Sequence, residues 1–341
     1  FHNLKYESVS SVIFQLIVFI VVLAALKFNL GLVWLMLSLV LASIYNFLFS
    51  FYILKKKWRL KINWRPDKVL IKSILLISLP FAIYAIFQRV YLYLDSVLLS
   101  LISGDHQVGI YQIPFKIIFA LQFLPLAFVA SLFPAMSHYW HNNREQLAIT
   151  FERAINYLII ISLPVSVGGV ILADKIMVIF KSDFNDAVLP LQITMAAVVF
   201  MFLNFSIGSL LNGCDRQKTN TVNMGITLVA SVILNLILIP RYQAAGASLT
   251  VLLTNLLMFI LGILVVPRIT KYDYNKIIII LIKSLLAAAV MGVAGYYLKN
   301  QVNLILTIIL AGLSYFMALY IFKGFSKADI ISIYQSFSKR I

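Results

Sequence analysis

Long apolar runs, separated by short polar segments, make up most of this chain. A transmembrane helix needs about 20 apolar residues, whereas a barrel strand alternates polar and apolar positions over about ten. Because the runs are continuous, they predict an all-α polytopic membrane protein with about ten transmembrane helices. The predicted spans are residues 9–28, 30–54, 73–102, 110–136, 154–180, 189–212, 220–240, 244–266, 277–298 and 303–322.

The composition supports a membrane protein and indicates its orientation. Hydrophobic residues make up 62% of the 341 residues and charged residues 12%, a balance that excludes an ordinary soluble domain. The segment KKKWRLKINWRPDK at 55–68 is strongly basic, which is typical of a cytoplasmic loop. Alternation of the spans then predicts a multi-pass protein of the inner (plasma) membrane with both termini of this chain cytoplasmic. The net charge of +16 is thus interpreted as topological, with contacts to membrane lipids, and no nucleic-acid binding is expected.

The loops contain no recognisable catalytic equipment. The predicted outer loops, such as SGDHQVG and PRYQAAG, are short and lack converging carboxylates, a Gly-rich phosphate loop or a nucleophile elbow. His138 and His141 are spaced like metal ligands, but no third ligand lies nearby. We therefore expect no enzyme, no cofactor and no metal site.

Three ionisable residues interrupt the apolar runs, namely Arg89, Asp95 and Lys116. Such groups cost about 2.5–3.5 kcal/mol each at the centre of a membrane helix and usually face a bundle interior or cavity. At helical spacing, Asp95 continues a polar stripe, and Arg89 lies about 100–120° away on a second stripe. The first stripe consists of Tyr84, Gln88, Tyr91 and Asp95.

A turn centred near Asp105 and His106 would place Asp95 opposite Lys116 in the antiparallel pair of helices and leave Arg89 without that partner. One interpretation is a neutralising Asp95–Lys116 salt bridge with a snorkelling Arg89. The other, which we favour, is a cavity with net charge +1 that receives an anionic head group. Gln112 and Asn204 would add neutral hydrogen bonds there, and aromatic rings would either stack on sugars or simply pack.

Prolines fall inside several predicted spans and predict kinked helices. Kinked helices around an anion-attracting centre are typical of alternating-access transporters. The prolines are Pro80, Pro114, Pro125, Pro134, Pro164 and Pro190.

Several phrases, in order, resemble a known family. They are KSILLISLPFAIYAIFQRVYLYLDSVLLSLISGDHQVGIYQIPFKI, LFPAMS, LLNGCDRQKTNTVNMGI and LNLILIPRYQAAGASLTVLLTN. The chain is similar to the Wzx-type polysaccharide flippases of the multidrug/oligosaccharidyl-lipid/polysaccharide exporter superfamily. The resemblance covers residues 70–266 in detail and the rest by span pattern.

The resemblance implies a MATE-like fold of two six-helix lobes followed by two extra helices, from which this chain lacks the first four helices. The implied domains are 1–69, the last two helices of the first lobe with a basic linker; 70–268, the second lobe; and 269–341, the extra pair with a cytoplasmic tail. The family's cavity-lining charges would fall on Arg89 and Asp95. At Gln243 the family usually has glycine, so the turn there is expected to differ.

The implied function is the movement of undecaprenyl-pyrophosphate-linked oligosaccharide repeat units, of O-antigen or capsule type, to the outer leaflet for surface polysaccharide biosynthesis. A proton or sodium ion and a polysaccharide polymerase are candidate partners. Three alternatives remain: a cation or drug antiporter of the same superfamily, a membrane glycosyltransferase or polymerase, and a non-transporting structural homologue.

Overall fold

The structure is a computed structural model that describes residues 5–28, 31–56, 68–180 and 182–324. This part of the chain is helical and contains no strand. The helices are α1 (Lys5–Lys27), α2 (Leu32–Lys56), α3 (Lys68–Ser103), α4 (Asp105–Leu121), α5 (Phe123–Asn142), α6 (Arg144–Ile171), α7 (Ala173–Val178), α8 (Val188–Gly213), α9 (Gln217–Ile263), α10 (Tyr274–Leu298) and α11 (Leu304–Ile321), with short 3-10 turns at Ser182–Ala187 and Val266–Arg268.

The prediction of about ten membrane crossings is confirmed. In the described residues, 9 helical stretches are long and apolar enough to span a membrane. The stretch that contains α9 folds back at Gln243, whose φ of 50° and ψ of −127° are not helical. Thr227 Oγ1 in the first arm (217–242) lies 3.5 Å from the sulfur of Met258 in the second (244–263). Contact between residues so far apart along α9 shows an antiparallel hairpin, and therefore two crossings.

Helix ends differ from the predicted spans where polar turns extend a helix. The predicted span 154–180 corresponds to α6, which begins at Arg144. Asn143 caps it, because its side chain accepts a hydrogen bond of 3.0 Å from the backbone N–H of Gln146. The predicted span 110–136 is two helices, α4 and α5, that meet at Gln122. Apolar runs mark what the hydrocarbon covers and not where a helix stops.

Contacts divide the chain into two units, Phe1–Lys72 and Ser73–Ile341. In the first unit α1 pairs with α2, and Ser10 Oγ donates a hydrogen bond of 2.8 Å to Asn46 Oδ1. The core of the second unit lies between α6 and α8, where side chains such as Phe151, Leu158 and Phe202 are almost fully buried. This core supports the walls of the site described below.

The last helical pair packs against α6 within the second unit. Tyr315 Oη on α11 donates a hydrogen bond of 2.8 Å to the carbonyl oxygen of Ile160. Glu152 on α6 accepts one of 2.7 Å from the backbone N–H of Asp273, which begins the turn into α10. The predicted division into segments 1–69, 70–268 and 269–341 stays a prediction.

Candidate functional site

A cavity of about 390 Å³ lies within the second unit, bounded by α3, α4, α5, α8 and α9. Apolar side chains share its walls with neutral polar ones. The polar lining includes the amides Gln88, Gln122, Asn204, Asn212, Asn220 and Asn255, the tyrosines Tyr84, Tyr91 and Tyr111, and the carboxyl of Asp95. Aromatic lining comes from Phe115, Phe119, Phe133 and Phe205. An apolar pocket with a few converging polar groups is the usual form of a small-molecule site.

The structure brings most of the predicted site residues into this lining, but not all of them. The four members of the predicted α3 stripe line the cavity together with Asn204; they are Tyr84, Gln88, Tyr91 and Asp95. Gln112 lies outside the lining, and its Nε2 donates a hydrogen bond of 2.9 Å to Ser96 Oγ. Arg89 and Lys116 are exposed and also lie outside it.

Asp95 is 3% exposed, and its two carboxylate oxygens have different partners. Tyr111 Oη on α4 donates a hydrogen bond of 3.0 Å to Oδ2. Asn235 Nδ2, in the first arm of α9, donates one of 2.6 Å to Oδ1. These two bonds connect α3 to both α4 and α9, so Asp95 is a junction in the cavity wall.

The predicted pairing of Asp95 with Lys116 is wrong, because the turn between α3 and α4 is tighter than expected. Gly104 alone separates the two helices, and its φ of 83° is a conformation that glycine adopts without strain. The pairing between the helices therefore shifts by about one helical turn. Asp95 meets Tyr111, and Ser96 meets Gln112, instead of the more distant Lys116.

A second polar junction lies at Tyr91. Its hydroxyl is 2.7 Å from Thr254 Oγ1 and accepts a hydrogen bond of 3.1 Å from Asn255 Nδ2, both on the second arm of α9. Asn204 Nδ2 on α8 donates a hydrogen bond of 3.0 Å to the backbone carbonyl of Asn255. One network thus links α3, α8 and α9 around the cavity, as polar groups commonly do between membrane helices.

Hydrogen bonds matter for α3 because little of it is buried. Among its residues whose burial is described, Asp95 and Leu99 are the buried ones. Further along the helix from Lys68, the Pro80 carbonyl accepts a hydrogen bond of 2.8 Å from Thr221 Oγ1, and Phe87 lies against Gly225. The helix is thus a cavity wall held to the rest of the unit by spaced polar contacts.

The expectation of a cavity with net charge +1 is wrong for this cavity. Among the described residues no lysine, arginine or histidine belongs to the lining, and Asp95 is its one carboxyl group. Arg89 and Lys116, the two expected sources of positive charge, are exposed elsewhere. The cavity therefore presents neutral hydrogen-bonding groups around a single buried acid.

Sequence reasoning missed Tyr111 and Asn235, the partners of Asp95, and the lining amides Gln122 and Asn255. Each amide stands within an apolar run, as in LNLILIP and LTN. Polar residues inside a membrane helix, amides as well as charged groups, usually face a bundle interior or cavity. This rule indicates the missed amides as candidates from their positions alone.

Comparisons with known proteins agree with this architecture. A family model described as "Polysaccharide biosynthesis protein" matches residues 1–140, and one described as "MatE" matches residues 80–238. An uncharacterized membrane protein of Methanocaldococcus jannaschii is 27% identical over 251 residues, covering 71% of this chain and 48% of the relative. The probable flippase AglR of Haloferax volcanii is 23% identical over 52% of this chain and 38% of its own length.

A solved structure shares the fold. The lipid II flippase MurJ in an inward closed conformation superposes with a TM-score of 0.68 at 16% identity, covering 94% of this chain and 67% of that one. The chain spans 48% and 66% of the lengths of the two M. jannaschii membrane proteins that it matches.

Fold and site together define an all-α polytopic membrane protein with the fold of a flippase. The two family models each match part of the chain, and these matches and the shared fold agree with the sequence resemblance to polysaccharide flippases of the multidrug/oligosaccharidyl-lipid/polysaccharide exporter superfamily. The relatives named above by activity are described as a probable flippase and a lipid II flippase.

Proposed function

We propose that this chain belongs to a transporter that moves undecaprenyl-pyrophosphate-linked oligosaccharide repeat units from the cytoplasmic to the outer leaflet for surface polysaccharide biosynthesis. The observation that carries the proposal is the amide- and tyrosine-lined cavity between membrane helices in a fold shared with a lipid II flippase. The proposed location is the inner membrane, with both termini of the chain cytoplasmic. A polysaccharide polymerase is the proposed downstream partner.

The physical problem that such a transporter solves is the transfer of hydroxyl groups through hydrocarbon. A polar group that leaves water without a replacement hydrogen bond costs several kcal/mol. Amides of α8 and α9 line the cavity between the helices, including Asn204, Asn212 and Asn255. These amides support the proposal, because they supply replacement donors and acceptors inside the membrane-spanning part of the protein.

The anionic part of the lipid needs different groups. Arg89 lies on the exposed side of α3, and we propose that it contacts the diphosphate outside the cavity. A guanidinium group is well suited to this role, because it donates paired hydrogen bonds to phosphate oxygens.

The proposal is tested in proteoliposomes that contain the purified protein and a fluorescent polyprenyl-diphosphate-linked glycan, with transport measured by the access of a membrane-impermeant quencher. We expect Arg89→Ala to slow transport at least tenfold. The matched control Arg241→Ala, which removes another exposed arginine, should transport at the wild-type rate. Absence of transport by the wild-type protein would reject the function. An unchanged rate in Arg89→Ala would reject only the role of Arg89.

One observation favours a second candidate, a cation or drug antiporter. Asp95 is the one carboxyl group in the lining, and no basic group in the described residues opposes it there. The same proteoliposomes distinguish the two functions when they are loaded with ethidium as an organic cation. Exchange of ethidium without movement of the lipid-linked glycan would replace the flippase with the antiporter.

A further inference from the structure

The polar groups of the cavity are suited to a neutral, hydroxyl-rich ligand. Amide side chains both donate and accept hydrogen bonds, and so match sugar hydroxyls. Three lining groups, Asn204 Oδ1, Ser209 Oγ and Asn220 Oδ1, are buried without a hydrogen-bond partner. Such unpaired groups are uncommon in folded proteins and need an explanation. A hydroxyl-bearing ligand that reaches them would supply the missing partners.

The aromatic part of the lining has a chemistry that also fits sugars. Phe115 and Phe119 lie one turn apart on α4, with ring centroids 6.3 Å apart and the rings nearly parallel. Phe205 contributes a further ring from α8. The C–H groups on one face of a pyranose ring are apolar and pack against aromatic faces, while its hydroxyls remain free to bond amides.

The charge of the cavity is unsuited to a diphosphate. An anion that leaves water needs a cation or several strong donors in exchange, and an unpaired buried charge is far more costly than an unpaired neutral group. No described lining residue is basic. Asp95 would repel a phosphate when ionised and would offer it no positive charge when protonated.

From these observations we propose that the cavity is a binding site for the uncharged sugar residues of a lipid-linked glycan, while the diphosphate of the same molecule stays outside it. This inference rests on the proposed function and names what its cavity binds. The volume of about 390 Å³ lies near the lower end of the usual range of about 300–1,000 Å³ for ligand sites. The site therefore holds part of an oligosaccharide and not the whole of one.

The test compares two lipids that differ only in the sugar: polyprenyl diphosphate, and the same lipid that carries N-acetylglucosamine. Binding of each to the purified protein in nanodiscs is measured by titration. We expect the sugar-bearing lipid to bind about tenfold more tightly, as expected for a few neutral hydrogen bonds. Free N,N′-diacetylchitobiose should compete with the sugar-bearing lipid and leave binding of the bare lipid unchanged.

Variants of the lining then show whether the preference for the sugar-bearing lipid arises in the cavity. Asn204→Leu and Gln122→Leu remove lining amides and should each reduce the preference about threefold to tenfold, with binding of the bare lipid unchanged. Asn156→Leu is the matched control. Asn156 has a buried, unpartnered Oδ1 on α6 but lies outside the lining, and its loss should leave the preference intact.

The outcomes separate this inference from the function on which it rests. Equal binding of the two lipids by the wild-type protein, or no competition by the free disaccharide, would overturn the sugar site. Transport of both lipids would at the same time leave the flippase proposal standing. Loss of the preference in Asn156→Leu as well would also overturn the sugar site, because the effect would then not belong to the cavity.

Discussion

Tyr111 Oη donates a hydrogen bond of 3.0 Å to Asp95 Oδ2, and this contact joins α4 to α3. Both residues are almost fully buried, at 1% and 3% exposure. Because so little of α3 is otherwise buried, the bond is one of a few that position the cavity wall. Its loss would leave a buried acceptor without one of its partners.

We therefore expect Tyr111→Phe to reduce the free energy of unfolding by about 1–2 kcal/mol. Thermal unfolding of the detergent-solubilised protein measures the change. Tyr93→Phe on α3 is the control, since Tyr93 is 53% exposed, and its effect should stay within about 0.5 kcal/mol. Equal stability of the Tyr111→Phe and Tyr93→Phe variants would show that the junction at Asp95 does not hold α3.

The hairpin of α9 depends on the absence of a side chain at Gly246. A Cβ there would lie 2.7 Å from the carbonyl carbon of Leu238, and closer still to the carbonyl oxygen. Backbone atoms cannot move aside as a flexible side chain can, so the two arms would have to separate. We expect Gly246→Ala to destabilise the protein by about 1–3 kcal/mol.

Gly312 on α11 provides a control of opposite sign for Gly246→Ala. Apart from the backbone of its own helix and its chain neighbours, no described atom lies within 4 Å of its Cβ position, so alanine adds helix propensity without a clash. Gly312→Ala should add up to about 1 kcal/mol to the free energy of unfolding. The melting temperature should rise accordingly. If both variants shift the melting temperature in the same direction, the close approach at Gly246 is not the cause.

The turn of the same hairpin contains a strained residue. Gln243 has a φ of 50° and a ψ of −127°, a combination that glycine adopts readily and other residues rarely do. Strain of this kind costs on the order of 1–3 kcal/mol. A glycine at this position, as expected from the family resemblance, would remove the backbone strain. Glycine also makes the unfolded chain more flexible, and this offsets part of the gain in stability.

Gln243→Gly is thus expected to stabilise the protein by about 1 kcal/mol, measured as a higher melting temperature. Gln301→Gly is the matched control, because Gln301 lies in another turn and is not among the positive-φ residues. It should be neutral or slightly destabilising. A lower melting temperature for Gln243→Gly would contradict the strain argument.

The sequence predicted the crossings well, because continuous apolar runs reflect the hydrocarbon thickness directly. It did not predict where helices end, since the Asn143 cap and the polar first turns of α6 lie beyond the apolar run. The α3 stripe was also predictable, because helical spacing alone places Tyr84, Tyr91 and Asp95 on one face.

Pairing between helices was less accessible to sequence reasoning. An error of about two residues in the centre of the turn, expected near Asp105 and His106 and found near Gly104, moved the expected partner of Asp95 from Tyr111 to Lys116. In an antiparallel pair such an error is doubled, because both helices are counted from the turn. The turn error also accounts for the expected charge of Lys116 in the cavity, whereas Arg89, the other expected source of positive charge, lies on the exposed side of α3.

Asp174 and Lys299 form an ion pair whose contribution depends on pH. Lys299 Nζ lies 2.8 Å from Asp174 Oδ2, and Asp174 is 45% exposed. Burial by itself raises the pKa of Asp174, but hydrogen bonds from Lys299 and the backbone N–H of Lys175 outweigh it and hold the pKa below its ordinary value of 3.8. The ionised form is therefore favoured by folding.

A carboxyl group with a lowered pKa adds stability above its ordinary pKa, and this stability is lost as the pH falls through the lowered value. Asp174→Asn should thus cost up to about 1 kcal/mol at pH 7, a small effect because the pair is partly exposed. The difference from wild type should narrow between about pH 5 and pH 3. The free energies of unfolding of the wild-type and Asp174→Asn proteins, measured across this pH range, check the prediction. A difference between them that does not change with pH would contradict it.

The last prediction concerns coupling of transport to an ion gradient. Asp95 is a carboxyl group between membrane-spanning helices, and such groups commonly take up a proton or a cation. We expect an imposed proton or sodium gradient to accelerate lipid-linked glycan transport by the wild-type protein in proteoliposomes. Asp95→Asn keeps the volume of the side chain but cannot change its charge, so its rate should not respond to either gradient.

Asp105→Asn is the matched control for Asp95→Asn. Asp105 accepts a hydrogen bond of 2.6 Å from Ser100 Oγ at the exposed end of α3, away from the cavity lining. This variant should keep the gradient response of the wild-type protein. A full response in Asp95→Asn would show that Asp95 is a structural junction and that any coupling ion binds elsewhere. A response lost equally in both variants would point to general damage and not to the carboxyl group in the cavity.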